Sequence, residues 1–437
     1  MNHRSIAPSV QLLTVAITLS LLISFQSSGQ GIFQVSADLR ARAEYRHGFQ
    51  SPVTASQRSA LFIDQRSRLV FDYSQEKFIV KLSLQDIRVW GNQPQLVRND
   101  GALTALHEGW GQVFFTDAFS LKVGRQEINL DDQRIFGAVD WQMAARAHDA
   151  AMLKYKADDL EVQAAFAYNQ DGVQNTSTFY TVANNYKAMQ YLWVHHDFKP
   201  FNASFLFLNN GKQGGTPDDY RTYYSQTVGP RLGFANGKIR SFLTYYGQFG
   251  READAVTDVS AHYLAFDLSY KVNSQWTITP GFEYLSGNNQ DEADNVNQAF
   301  TPFYGTNHKF NGLMDYFYVG NHFSSVGLTD IYTMLDFRQN RFSGSFRLHY
   351  FRAPGKVVDP VDLVQEMDRY LGIESDLVLQ YRFSDQVTFD AGYSRMFPTD
   401  TMIRVKGSGS SSEPQHWAWL MVSFKPVFYK TPEKQAE

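Results

Sequence analysis

The amino-acid sequence predicts an all-β chain: a transmembrane antiparallel β-barrel of about 18 strands, with short turns at one end and long loops at the other. Three observations carry that expectation. Apolar and polar residues alternate along run after run of the chain. The connections between runs alternate between tight and long. After the N-terminus, no segment approaches the roughly 18 uninterrupted apolar residues that a membrane-spanning helix needs.

The first run, FQVSADLRARAEYRHG (Phe33 to Gly48), sets the pattern. Phe33, Val35, Ala37, Leu39, Ala41, Ala43 and Tyr45 form one row, and Gln34, Ser36, Asp38, Arg40, Arg42, Glu44 and Arg46 form the other. A period of two is a β-strand with one apolar and one polar face. In LFIDQRSRLVFDY, Leu69, Phe71 and Tyr73 oppose Asp64, Arg66, Arg68 and Asp72. FIVKLSLQ sets Phe78, Val80, Leu82 and Leu84 against Lys81, Ser83 and Gln85, and LEVQAAFAY (Leu160 to Tyr168) repeats the theme. HYLAFDLSYKV, WTITPGFEY, RFSGSFRLHY, LVLQYRFS and VTFDAGYS continue it. An open sheet of this size would leave unpaired edges that closure removes. The apolar rows are therefore expected to face lipid and the polar rows a lumen.

The connections SQEK, TDA, ADD, FKP, ANG, NSQ, QN and SDQ are tight and rich in turn residues. The others are long and polar, the longest running from about Gly287 to Gly327. Roughly eight short turns and nine long loops put both termini on the periplasmic side of an outer-membrane barrel. Tyr45, Tyr73, Trp90, Trp110, Tyr168, Trp193, Trp276 and Tyr284 fall near strand ends, as the two interfacial girdles require. The last strong run, HWAWLMVSF (His416 to Phe424), resembles the C-terminal signal read by the barrel-assembly machinery, although the tail KPVFYKTPEKQAE follows it.

Composition agrees. The 437 residues carry a net charge of −4 and no cysteine. Disulfides, thiolate metal sites and cysteine nucleophiles are excluded, and no clustered basic surface for nucleic acid is evident. The mean hydropathy of −0.36 suits a barrel whose inner half is polar. At the N-terminus, His3 and Arg4 precede the apolar run from Val10 to Phe25, with Ser27, Ser28 and Gly29 after it. That is the plan of a secretory signal peptide. Residues 1–29 are assigned to it, with cleavage expected near Gly29–Gln30, and 30–437 to the barrel. The alternative, a membrane anchor, would need a longer apolar run.

One segment carries a more particular likeness. LKVGRQEINLDDQRIFGAVDWQMAARAHDAAMLKY (Leu121 to Tyr155), with GRQ, DQR, DW and an Arg shortly before an Asp, resembles the alginate-export family of outer-membrane channels. FTPFYGTNHKFNGLMDYF (Phe300 to Phe317), preceded by EYLSGNN, resembles the same family. The resemblance implies an eighteen-stranded barrel and passive passage of an anionic polysaccharide through an arginine-lined constriction. Carried over on the motif, Arg125, Arg134 and Arg146 are candidate constriction cations, with Asp131, Asp132 and Asp149 as counter-charges. Strict alternation from Leu121 and Val123 points Arg125 at lipid, where a midplane arginine costs about 2–4 kcal/mol. A bulge at Gly124 that reverses parity is the expected solution; the other is a place for Arg125 beyond the apolar band.

The walls themselves are not clearly basic. Inward-facing cations (Arg40, Arg42, Arg66, Arg68, Lys81, Lys154, Lys271, Arg347 and Arg382) are matched by about as many acids, among them Asp38, Glu44, Asp64, Glu161, Glu283, Asp376 and Asp390. Most should form cross-strand ion pairs. Arg40, Arg42, Arg66 and Arg68 lie on adjacent strands as a basic patch able to touch solute. Phe179, Tyr180, Phe303, Tyr304 and Tyr316 can stack on sugar rings or pack loops on the rim. The run NNQDEADN (Asn288 to Asn295) lacks the spacing of a calcium loop and reads as solvated. His195 and His196 beside Asp197 have no serine context that would make a nucleophile's base, so an outer-membrane enzyme is disfavoured.

The expectation is a monomeric, exported, outer-membrane barrel without cofactor, in contact with outer-membrane lipid. It would pass a hydrophilic solute, an acidic oligo- or polysaccharide or a small organic anion, with periplasmic delivery proteins as further partners. The alternative is a general or nutrient-uptake porin with no polysaccharide preference.

Overall fold

The structure, a computed structural model, describes residues 31–96, 104–292, 295–322, 324–362 and 365–432. The signal-peptide assignment lies outside the described residues.

The first half of the wall is β1 (Ile32–His47), β2 (Ala60–Gln75), β3 (Phe78–Val89), β4 (Thr104–Phe114), β5 (Phe119–Gln126), β6 (His148–Ala157), β7 (Leu160–Tyr168), β8 (Ala188–Phe198) and β9 (Phe201–Thr216). The second half is β10 (Asp219–Asn236), β11 (Ile239–Arg251), β12 (Asp258–Lys271), β13 (Trp276–Leu285), β15 (Leu328–Gln339), β16 (Phe342–Arg352), β17 (Tyr370–Arg382), β18 (Val387–Pro398) and β19 (Gln415–Phe424). Two short strands, β14 (Val296–Asn297) and β20 (Val427–Lys430), are additions to this wall. Successive wall strands pair antiparallel, and β1 closes on β19 from Leu39↔Phe424 to His47↔His416. The wall is thus a closed barrel of 18 strands, as the alternation predicted. The C-terminal tail belongs to it: after Pro426, β20 pairs with Gln34, Val35 and Ser36 at the start of β1.

The two rows of β1 lie where expected. Arg40, Arg42 and Glu44 are buried inside, while Leu39 and Tyr45 are exposed outside. Three local expectations need correction. The β9–β10 connection is only two residues, because the two strands themselves run on as a hairpin of 16 and 18 residues. Trp110 and Trp193 do not join the outer girdles: Trp110 donates to Glu108 and lies under Lys122, and Trp193 donates to Asp131. Both rings face the lumen. Finally, no register shift occurs at Gly124 on either side of β5. The bulge sits instead between β3 and β4, at Ser83/Leu84, and leaves both His107 and Glu108 buried.

The lumen is filled by loops. Ile128, Ile135 and Phe136 of the 127–147 loop pack with Phe300, Met314 and Tyr316 of the 286–327 loop and with wall residues Tyr191, Tyr246, Tyr263 and Trp417. A short helix, α1 (Asp400–Lys406), adds Met402 to this core. Its start is set by Thr399, whose side chain accepts from the Met402 N–H, and its end by Gly407 at φ 70°.

Candidate functional site

The loop 127–147 leaves β5 at Gln126, whose side-chain amide donates to the carbonyl of Ala150 at 2.9 Å and fixes the exit across β6. It then turns repeatedly through left-handed backbone, at Asp131, Gln133, Val139 and Ala145. Val139 is β-branched, and φ 53° is costly for it. Surrounding contacts must hold that conformation. They do so by joining this loop to the 286–327 loop. The Gly137 N–H donates to the Tyr304 carbonyl at 2.9 Å and the Thr306 N–H to the Gln133 carbonyl at 2.9 Å. The Thr306 hydroxyl donates to Gln133 Oε1 at 2.8 Å. Close approach depends on two glycines: a Cβ at Gly137 would lie 2.2 Å from Thr306 Oγ1, and one at Gly305 2.1 Å from the Arg134 carbonyl oxygen.

On either side of this joined pair lies a cavity. The extracellular one, about 890 Å³, is lined by Arg125, Arg146, Tyr180, Tyr186, Lys212 and Tyr304, with Phe303 and Tyr318 beside them. The periplasmic one, about 370 Å³, is lined by Arg40, Asp140, Trp141, Gln380, Asp390 and Lys425 among others.

The sequence-predicted residues divide between these places and the packed interior. Arg40 and Arg66 clasp Asp140 of the loop at 2.9 and 2.8 Å, and Arg66 also reaches Asp38 at 2.5 Å. Arg42 pairs with Glu44 at 2.7 Å and Asp64 at 2.9 Å, donates to the Trp141 carbonyl, and lies 4.1 Å over the Trp141 ring. Trp141 in turn stacks on His308 at 4.5 Å and meets Trp417 and Trp419 edge-on. Burial raises the Asp140 carboxyl, but Arg66 and Arg40 outweigh it and hold it down to about 2. Arg68 differs from its three neighbours: it binds Gln85 at 2.7 and 3.1 Å and has no ion pair among the described residues. Lys81 is tied to Glu108 at 2.6 Å.

Arg134 is buried rather than lining a path. Its guanidinium donates to Glu283 at 2.9 Å and to Asn311 at 2.8 Å, so it fastens the loops to β13. Asp132 receives the Arg231 Nε–H at 3.3 Å, and Asp131 receives Trp193. Arg125 and Asp149 meet at 2.9 Å at the extracellular ends of β5 and β6, Arg125 partly and Asp149 largely exposed. The place beyond the apolar band, not a bulge, therefore accounts for Arg125. Arg146 reaches the Gly305 carbonyl at 3.1 Å and forms no ion pair among the described residues. Burial lowers its guanidinium below the usual arginine value.

Several lumen residues escaped sequence reasoning. Asp140, the acid that joins Arg40 to Arg66, was visible only as part of the DW motif. Lys122 faces inward over Trp110, its Nζ 3.9 Å from the ring centre, and has no ion pair among the described residues; its inward parity follows from Ser120, Lys122 and Gln126. Of the loop aromatics, Tyr180, Phe303 and Tyr304 line the extracellular cavity, whereas Tyr316 is buried and donates to the Gly48 carbonyl at 2.6 Å. His195 lies 3.5 Å from Asp197 at the periplasmic end of β8. His107, Glu108 and Glu127 gather ligand atoms within 4.8 Å, but His107 bonds Glu127 and Glu108 is held by Lys81 and Trp110. In the 288–295 run, Asp291 pairs with Lys356 at 3.1 Å, while 293 and 294 lie outside the described residues.

A closed antiparallel barrel with an apolar outer band, a polar lumen and inward-folded loops defines an outer-membrane channel. The chain belongs to the alginate export family, which matches residues 32–327. Among solved structures it is similar to Acinetobacter baumannii OccAB4 at 11% identity and a TM-score of 0.62, covering 92% of this chain and 99% of that one. It is likewise similar to Acinetobacter baumannii OccAB1 (12%, 0.62, 93% and 100%) and to Pseudomonas aeruginosa OpdK with vanillate (11%, 0.59, 90% and 99%). No curated protein matches the chain.

Proposed function

We propose that this channel passes an anionic hydrophilic solute, an acidic oligosaccharide or polysaccharide of the uronate type, by passive diffusion. One observation carries the reading: Arg146 stands in the 890 Å³ extracellular cavity with no ion pair among the described residues, beside Tyr180, Phe303 and Tyr304. A carboxylate entering there gains a charge-assisted hydrogen bond without displacing an internal acid. The rings offer flat apolar faces to a sugar. Deeper in, Arg68 and Lys122 are further wall cations with no ion pair among the described residues. Paired cations elsewhere keep total attraction weak enough for release, which conduction requires. The family membership supports the same solute class.

A second reading has one observation behind it. The joined loops leave cavities of 890 and 370 Å³, a size that suits one small organic molecule at a time. A neighbour of the same fold is named with bound vanillate, an aromatic carboxylate. Uptake of a small organic anion would use the same Arg146.

Single-channel conductance in a planar bilayer tests both. Block by a uronate oligomer but not by a neutral oligosaccharide is expected, weakened about tenfold or more in Arg146→Ala, since a hydrogen bond to a charged group is worth about 1.5–3 kcal/mol. Block by a small aromatic carboxylate alone would favour the second reading. Absence of block by any anion would overturn both.

A further inference from the structure

We propose that the outer face of β1, β18 and β19 binds a phosphate-bearing, multi-acyl lipid of the outer leaflet, of the lipid A type. The site lies outside the lumen and is independent of the solute path.

Two features coincide there. The first is an indentation of the wall. Ala41 and Ala43 on β1, Ala391 on β18 and Ala418 on β19 present methyl groups outward, while the same strands bury Arg42, Trp417 and Trp419 inward. Bulk sits inside and is missing outside. The result is an apolar depression of about 300 Å³ below Tyr45 and Tyr393. It continues toward the periplasmic side into one of about 920 Å³ that reaches Phe346 and Trp276. Ala43, Leu377, Leu379, Ala391 and Leu420 line both.

The second feature is a row of one arginine and two histidines directly above that groove. The register sets His47 of β1 opposite His416 of β19, and His416 opposite Arg395 of β18. All three lie on the outward row, on strands about 4.8 Å apart. Arg395 has no ion pair, and its buried Nε has no hydrogen-bond partner, among the described residues; its guanidinium lies 4.5 Å over the Phe397 ring. His47 shares Nδ1 with Ser59 Oγ at 3.1 Å, and His416 shares Nδ1 with the Tyr393 hydroxyl at 2.7 Å. Each ring thus turns its second nitrogen elsewhere. No acid pairs with any of the three among the described residues. One guanidinium flanked by two imidazoles, each with a second ring nitrogen free to donate, stands at the level of interfacial tyrosines and caps an apolar groove; that is complementary to an amphiphile with a phosphate head and several chains. The row stands at the extracellular ends of the strands, which places that head in the outer leaflet.

Native mass spectrometry of the detergent-solubilised barrel, titrated with diphosphoryl lipid A, is the test. One retained lipid per barrel is expected. Binding should weaken about tenfold or more when the phosphates are removed from the lipid, and again in the Arg395→Ala/His416→Ala double variant. Ala391→Leu, which fills the groove, should weaken binding while keeping the preference for the phosphorylated form; it also serves if the double variant does not fold. Equal binding of dephosphorylated lipid A, equal binding by the variants, or phosphatidylglycerol held as tightly as lipid A would each overturn the proposal.

Discussion

Two groups of arginines in one lumen have opposite electrostatic situations. On β1 and β2, Arg40, Arg42 and Arg66 are each held by two carboxylates. In the extracellular cavity, Arg146 has only a backbone carbonyl among the described residues. The first group was the more basic in sequence and is the more neutral in the fold. A buried ion pair is a weak source of net stability, yet removing one partner is strongly unfavourable because the other charge is left behind. The wall arginines are therefore structural connectors between barrel and loop, while Arg146 retains capacity for a ligand. What decides availability is the count of acids within reach, not the count of cations.

The largest expected effect breaks a connector. Arg134 and Glu283 are both buried and joined at 2.9 Å, with Asn311 closing the network. Arg134→Ala should destabilise the barrel by about 3–5 kcal/mol, measured as the shift in its urea midpoint in vesicles. Arg146→Ala, which removes one hydrogen bond to a backbone carbonyl, should shift that midpoint by less, about 0.5–1.5 kcal/mol. Similar losses in the two variants would dissolve the distinction between connector and available cation.

A sharper version converts one kind into the other. Asp140→Asn removes the carboxylate that Arg40 and Arg66 share, leaving those cations with Asp38 alone. The reversal potential under a salt gradient should move toward anion permeability. Acid should imitate the change. The Asp140 carboxyl, raised by burial but pulled down by Arg66 and Arg40, sits at about 2. A depressed folded value gives a contribution that is complete above the ordinary carboxylate range near 3.9. That contribution is lost only as pH falls through about 2, so the difference in selectivity between the wild type and Asp140→Asn should stay constant from about pH 4 to 7. A difference between the two that already shrinks at about pH 4–5 would mean that the clasp is looser than its distances imply.

The fold was legible because its signal is repetitive: a two-residue period fixes the outward row of every strand, and one slip would put arginine into lipid. The exceptions arise where that period stops carrying information. Trp110 and Trp193 suit a girdle by residue type, but their parity with Glu108 and Tyr191 puts them inside. The place of Arg125 could not be settled by parity, since the alternation rule loses its force above the apolar band. The lumen was less legible than the wall. Arg134 carries the right motif and is spent on Glu283, a residue 149 positions away. Asp140 reaches Arg40 across 100 positions and Arg66 across 74. Such pairings depend on how a loop folds into the barrel, and local sequence does not encode them.

The smallest expected effect concerns Arg125. It lies in the same cavity as Arg146 and in the same motif, yet it is paired with Asp149 in an exposed bridge, the two side chains 39% and 61% accessible. Exposed bridges contribute about 0–1 kcal/mol and are screened by salt. Arg125→Ala should therefore weaken uronate block far less than Arg146→Ala does, and the difference should shrink further as ionic strength rises. Equal loss of block in the two variants at low salt would show that the solute displaces Asp149 from Arg125. The extracellular cavity would then hold two usable cations, and pairing distance alone would no longer separate available arginines from occupied ones.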